Sequence, residues 1–275
     1  MASPASPPAA SRSKRLTLVQ RWRGGIVALV FVTLLALVWE ALVRADFWPQ
    51  YLLPSPATVA ARVLDGLRDY TIPRAIGYTM RRIAIGYGIS VVLGIALGVA
   101  IARFRLLEQS LGTLVSGLQA LPSITWLPLA LLWFGLNDTA IIFVVVLGSL
   151  LAIVQATRDG IHNVPPLYFR TARNLGASGL AMYWRVVLPA ALPYIITGMK
   201  LGWSFAWRSL MAAELIFFTP GLGHLLEVGR EFNDIAQVMA VMVVIVFLGL
   251  VVDKLVFSRL EQMVRTRWGL AGIHE

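Results

Sequence analysis

Six apolar stretches recur along this chain, each about the length of a bilayer crossing, and they leave it few possible folds. Five are continuous: residues 25–44, 83–102, 138–157, 191–216 and 235–257. A run of about 20 apolar residues crosses hydrocarbon as a helix. The sixth, 109–135, carries Pro122 and Pro128 and is predicted to be kinked. The runs are unbroken, whereas the strands of a membrane barrel alternate apolar and polar residues. An all-α integral membrane protein with six transmembrane helices is therefore expected. Only 14% of the 275 residues are charged, where a soluble domain carries about a quarter.

Several function classes drop out. The chain has no cysteine, so a disulfide framework, a thiolate metal site and a cysteine nucleophile are excluded. Its three histidines, His162, His224 and His274, are scattered, with no pair at metal-ligand spacing, so no metal is expected. No G-x-x-x-x-G-K-S/T run occurs. The chain is thus expected neither to bind a nucleotide itself nor to be an enzyme. The net charge is +10, but the basic residues do not cluster with aromatics on a soluble face, so nucleic acid is not an expected partner.

Topology accounts for the charge instead. With the N-terminus inside, residues 1–24, 103–108, 158–190 and 258–275 hold fourteen Lys/Arg, against six in the outside segments 45–82 and 217–234. That bias favours both termini in the cytoplasm. Residues 1–24 are read as a disordered basic tail, 25–257 as the six-span domain and 258–275 as a cytoplasmic C-terminal tail. The first span is read as a retained signal anchor rather than a cleaved leader. Arg81 and Arg82, at an outer boundary, break the charge rule.

The outside segments are patterned. Ser55 is placed to cap a helix whose first residue is Pro56. Val59, Ala60, Val63, Leu64 and Leu67 then recur at helical spacing, which predicts an amphipathic helix. Thr219-Pro220-Gly221-Leu222-Gly223 ends the fifth span sharply. The rest of that segment, to residue 234, is a lid over an outer vestibule or a plain connector, with Asp234 capping the last span.

Between spans four and five lies a polar, glycine-broken stretch. Pro165-Pro166 opens a short helix to Leu175, and Gly176 stands where a left-handed residue is needed. A second helix is predicted to run to Val186 and to end at Leu188-Pro189, with Pro193 starting the next span. Such an elbow either docks a soluble motor or is a packed connector.

The segment resembles the cytoplasmic coupling loop of ABC importer permeases: Glu-Ala-Ala, three residues, Gly, nine residues, Ile, one residue, Leu-Pro. Ala172, Gly176, the nine-residue gap, Leu188 and Pro189 fit, and Val186 stands in for the isoleucine. Arg170 and Thr171 depart from the pattern. LPSP at 53–56, Arg81-Arg82 with Gly86, the run 121–136 and the run 207–226 extend the resemblance to the nitrate/sulfonate/taurine-type permeases, over about residues 30–268. The resemblance implies a type I importer fold in a bacterial inner membrane. It also implies a homodimer, two cytoplasmic ATPase subunits that bind ATP and Mg, and an extracytoplasmic substrate-binding protein. The coupling residues carried over are Arg170, Thr171, Ala172, Arg173, Leu175, Gly176, Ala177, Val186, Leu188 and Pro189.

A translocation path has candidates on two spans. Lys200, Trp203, Trp207, Met211 and Glu214 are spaced by three or four and share a helix face. Arg208 lies beside that face, and an intramembrane arginine is costly unless paired or wetted. It either guides an anion or forms an ion pair with Glu40 or Glu214. In the kinked span, Gln119, Ser123 and Trp126 fall at i, i+4 and i+7, as a second wall of the path or as packing at the kink. Gly86, Gly88, Gly94 and Gly98 are read as close helix packing. The rival function is an ion-coupled secondary carrier, which needs mid-membrane carboxylates and inverted repeats. Neither is found, since Glu40, Glu214 and Asp253 fall near span ends. An intramembrane hydrolase is set aside because Ser149 has no histidine at matching depth.

Overall fold

A computed structural model of the chain describes residues 10–267 except 47 and 50, and every regular element among them is helical. In chain order these are α1 (Ala10–Arg44), α2 (Pro56–Arg68), α3 (Thr71–Arg103), α4 (Arg105–Leu107), α5 (Thr113–Leu118), α6 (Leu127–Phe134) and α7 (Asp138–His162). Then come α8 (Pro166–Asn174), α9 (Gly179–Met182), α10 (Leu188–Ile216), α11 (Leu222–Glu231), α12 (Ile235–Val252) and α13 (Ser258–Arg267). The tails expected at the two ends fall outside the described residues over 1–9 and 268–275.

Four helical stretches are long and apolar enough to cross a membrane: Thr71–Arg103, Asp138–His162, Tyr183–Ile216 and Ile235–Val264. A fifth crossing is counted if Arg105–Leu118 and Ser123–Phe134 form one broken span. The remaining apolar run, 25–44, lies within α1.

Two compact units divide at Arg62 and Val63. In the first, the Trp39 indole N–H donates to the Pro54 carbonyl at 3.1 Å, and Glu40 pairs with Arg44 at 2.8 Å. Ser55 caps α2 as its sequence predicts, accepting the Thr58 N–H at 3.2 Å.

In the second unit α7 packs between α3 and α10. Small residues let the backbones close up. On α3 they recur every four residues: Gly86, Ser90, Gly94 and Gly98 are all buried. Cβ atoms added at Gly86 and Gly94 would meet Val145 and Ile153 of α7 at 2.8 Å. On α10, Gly198 and Gly202 abut Ala156 and Ile153 of α7. Gly98→Val is expected to cost about 1–3 kcal/mol by overpacking, because its Cβ would meet the Thr157 Cβ at 2.6 Å and the Val154 carbonyl at 2.8 Å. A Cβ at Gly88 meets nothing within 4 Å, so Gly88→Ala should leave the melting temperature in detergent nearly unchanged. Gly88 therefore does not share the packing role expected of it.

The span predicted to kink instead breaks, with its two halves 98° apart. Pro122 causes the break: its ψ of 136° is extended, and the residue before a proline is itself biased away from helix. Pro128 is harmless, since it lies in the first turn of α6.

The elbow also differs from its prediction. Leu188-Pro189 does not end a helix. A wide π turn, Tyr183–Val187, closed by the Leu188 N–H on the Tyr183 carbonyl, runs straight into α10. Pro189 has no N–H for the carbonyl four residues back, and a widened turn absorbs that loss without stopping the helix. Pro193 likewise sits inside α10 rather than at its start. Asp234 caps α12 as predicted, accepting the Gln237 N–H at 3.0 Å.

Candidate functional site

The elbow closes on Gly176. Its φ is +82°, a conformation that glycine adopts without steric cost. The Gly176 N–H donates to the Arg173 carbonyl and the Ala177 N–H to the Ala172 carbonyl, both at 2.9 Å. This paired pattern satisfies the last carbonyls of α8. Gly179, also at positive φ (+54°), makes a second bend that the glycine and proline pattern did not predict.

Ala172 faces inward and packs with Ile161, Val164, Met182, Val187, Ala191 and Ile195. Phe169, Ala177, Val186 and Leu188 pack around that cluster. Beside Ala172 the elbow is apolar and open: Leu175, just past α8, is 82% exposed and Leu167 69%. Between them lies a cleft of about 470 Å³ lined by Leu167, Tyr168, Thr171, Ala172, Leu175 and Val186. Exposed Arg170 and Arg173 lie on the same short helix. At the C-terminal end of α3, the Arg103 guanidinium lies 4.8 Å from the Tyr183 ring centre, which ties the π turn to α3.

A second cleft, of about 170 Å³, opens where the broken span turns. Gln119, Ser123 and Trp126 line it together, with Gly148, Leu151 and Phe205 among the opposing residues. Ser209 of α10 donates to the Ser123 hydroxyl at 2.7 Å. The face of α10 that meets this cleft is therefore the Phe205–Ser209 side.

The predicted face Lys200–Trp203–Trp207–Met211–Glu214 points elsewhere. Lys200 reaches Asp253 at 3.2 Å and Glu261 at 3.7 Å, and does not snorkel freely. Trp203 meets Tyr87 edge-on, with ring centres 5.2 Å apart, and stacks on Trp207 at 6.0 Å. Met211 packs into the core. The five do share one face, but it is the face packed on α3 and the C-terminal helices. Helical spacing identifies a face without saying which neighbour covers it. Arg208 is exposed, donates to the Ser204 carbonyl at 3.0 Å and lies over the ring of Phe205, which lines the cleft, but does not itself line it.

Glu214 departs further from expectation. Its partner is neither Arg208 nor solvent but Arg82, whose Nη1 donates to Oε1 at 2.7 Å. Glu214 is fully buried and Arg82 is 2% exposed. Arg82 also donates to Asp138 at 2.7 and 3.0 Å and to the Pro220 carbonyl at 2.8 Å. Thr79 donates to the Glu214 carboxylate at 2.9 Å and accepts the Leu222 N–H at 3.0 Å. The Gly223 N–H completes the set on Glu214 at 3.0 Å. The sequence signal was Arg82 itself, misplaced by the charge rule and hence in need of acids within the protein.

Residues 90–266 match the family described as binding-protein-dependent transport system inner membrane component. A probable ABC transporter permease of Brucella melitensis is 31% identical over 216 residues, covering 78% of this chain and 87% of the relative. The taurine transport system permease protein of Escherichia coli is 29% identical over 227 residues, covering 81% and 82%. Among solved structures, the MetNI methionine ABC transporter in its inward-facing conformations matches with a TM-score of 0.61 at 18% identity, over 72% of this chain and 97% of that one.

Proposed function

The chain belongs to the binding-protein-dependent transport system inner membrane component family, and from that premise we propose how it works. As a type I importer permease it is not itself an enzyme, and it acts with ATPase and binding-protein partners. We place it in the inner membrane as a homodimer, with both termini cytoplasmic, as the Lys/Arg bias favours. ATP and Mg are bound by two cytoplasmic ATPase subunits.

The observation that carries the docking reading is the apolar cleft on the elbow. A solvent-facing Leu175 beside exposed Arg170 and Arg173 suits a partner that brings an apolar knob with acids around it. Arg170 in place of an acid then means that this partner offers negative charge there. Thr171, Ala172 and Val186 line the cleft, and Gly176, Ala177, Leu188 and Pro189 pass its motion into α10. A Cys placed at Leu175 or Asn174 is expected to cross-link to the copurified ATPase. A Cys at Ala172 is expected to cross-link far less, since Ala172 is only 5% exposed, at the floor of the cleft. The native chain has no cysteine to confuse the result. No cross-link from Leu175 in an assembled complex would sink this reading.

The solute passes the cleft of Gln119, Ser123 and Trp126, with Arg208 over the Phe205 ring beside it. Those groups offer hydrogen bonds and one positive charge, which suits a small anion such as a sulfonate, taurine or nitrate. Uptake of labelled taurine by the reconstituted importer, competed by nitrate and alkyl sulfonates, tests the class.

A further inference from the structure

Glu214 and Arg82 line neither cleft, yet they bind the outer end of α10 to its surroundings. Tyr183–Ile216 is one helical stretch of 34 residues, with the elbow at one end and Glu214 near the other. Three links leave that outer end. Glu214 takes the Gly223 N–H at the start of α11. Its partner Arg82 holds the Pro220 carbonyl. Thr79 bridges the same carboxylate to the Leu222 N–H. The turn is fitted to this carboxylate as closely as sterics permit. A Cβ at Gly221 would lie 2.6 Å from the Glu214 carboxyl carbon. One at Gly223 would strike the Glu214 Cβ and lie 2.9 Å from its backbone carbon. If α10 tilted while the turn stayed behind, a buried carboxylate and a buried guanidinium would lose their partners together, which costs far more than moving the turn.

We propose that Arg82 and Glu214 are positioning residues that lock the outer ends of α3 and α10, the 217–223 turn and α11 into one lever with the elbow. A load placed on α11 from outside then reaches the ATPase-facing cleft, and the reverse. An exposed apolar side chain stands on each side of α11 to receive one: Phe218, in the turn before it, and Phe232, directly after it, are 68% and 78% exposed. The lever depends on the permease reading only for what sits at each end. The link between Glu214 and Gly223 does not depend on it.

The test uses the assembled importer. Arg82→Met/Glu214→Met keeps side-chain bulk and removes the links to Pro220 and Gly223. The ratio of ATP hydrolysis with loaded binding protein to hydrolysis without it should fall at least about 5-fold. Hydrolysis without binding protein, and cross-linking from Leu175, should persist. An assembled double variant with the wild-type ratio overturns the lever. A second experiment leaves the network whole, so it decides the matter even if the double variant does not assemble. Ala75→Cys and Leu222→Cys, in one buried cluster, are joined by a short bis-methanethiosulfonate, each thiolate displacing a sulfinate to form a disulfide, which fastens α3 to α11 until a reductant cleaves it. Uptake should survive joining. Uptake lost on joining and restored on cleavage would show that the contact opens in each cycle, and the lever fails. Absence of the Leu175 cross-link in the native complex would instead sink the docking reading and leave the Glu214 link standing.

Discussion

Gly176→Val should lower solute uptake at least about 10-fold while ATP hydrolysis continues; the energy needed for that factor is only about 1.4 kcal/mol. The residue sits at φ +82°, where an L side chain costs about 1–2 kcal/mol and a β-branched one is a marked outlier. A Cβ added there meets nothing within 4 Å, so the penalty is wholly in the backbone. The chain escapes it by leaving the left-handed region. That breaks the bonds from Gly176 to Arg173 and from Ala177 to Ala172, and swings Leu175 off the rim of the elbow cleft. The ATPase is a separate polypeptide, so its chemistry is spared while its grip on α10 is lost. Gly176→Asn is the control, because asparagine tolerates this conformation and should retain most uptake. Coupling unchanged in the valine variant would mean that the elbow is only a connector.

The legible and the hidden features of this sequence divide along a physical line. Features set by a residue and its chain neighbours are legible. Pro56 and Ser55 start α2, Gly176 ends α8 and Asp234 opens α12. Of the elbow, the bend at Gly176 is legible in this way, whereas the second bend at Gly179 and the run of Pro189 into α10 are not. Features that depend on which helix lies opposite are not legible. Lys200, Trp203 and Trp207 do share a face of α10, but it packs on α3 and the C-terminal helices rather than on the cleft. Nothing in a single helix says which neighbour covers a face. The stripe on α10, Gly198-x-x-x-Gly202-x-x-x-Ala206, is present in the sequence and marks the side that packs on α7. That stripe is the signal that shows which way α10 is turned. The π turn at 183–187 stays hidden because proline in sequence signals a break, while a helix that widens one turn beforehand can carry it through.

Arg82→Met alone is predicted to be the most damaging substitution in the Arg82–Glu214 network, costing about 3–5 kcal/mol by stranding a buried charge. Glu214 is fully buried and would keep only Thr79 and Gly223 as donors. Asp138 suffers less, because its side chain is 43% exposed and water can replace the guanidinium. Glu214→Met should be milder than Arg82→Met, since Arg82 retains Asp138 and the Pro220 carbonyl. The double variant should recover much of the loss, as buried ion pairs replaced by apolar groups of similar volume are often near neutral. Yield of monodisperse complex and its melting temperature give the order. If the double variant recovers, charge balance explains the folding cost of either single change, and the hydrogen bonds to Pro220 and Gly223 are free to serve motion. If it is as damaged as Arg82→Met, those backbone bonds themselves hold the turn. The glycines at 221 and 223 then owe their place to folding as much as to transport.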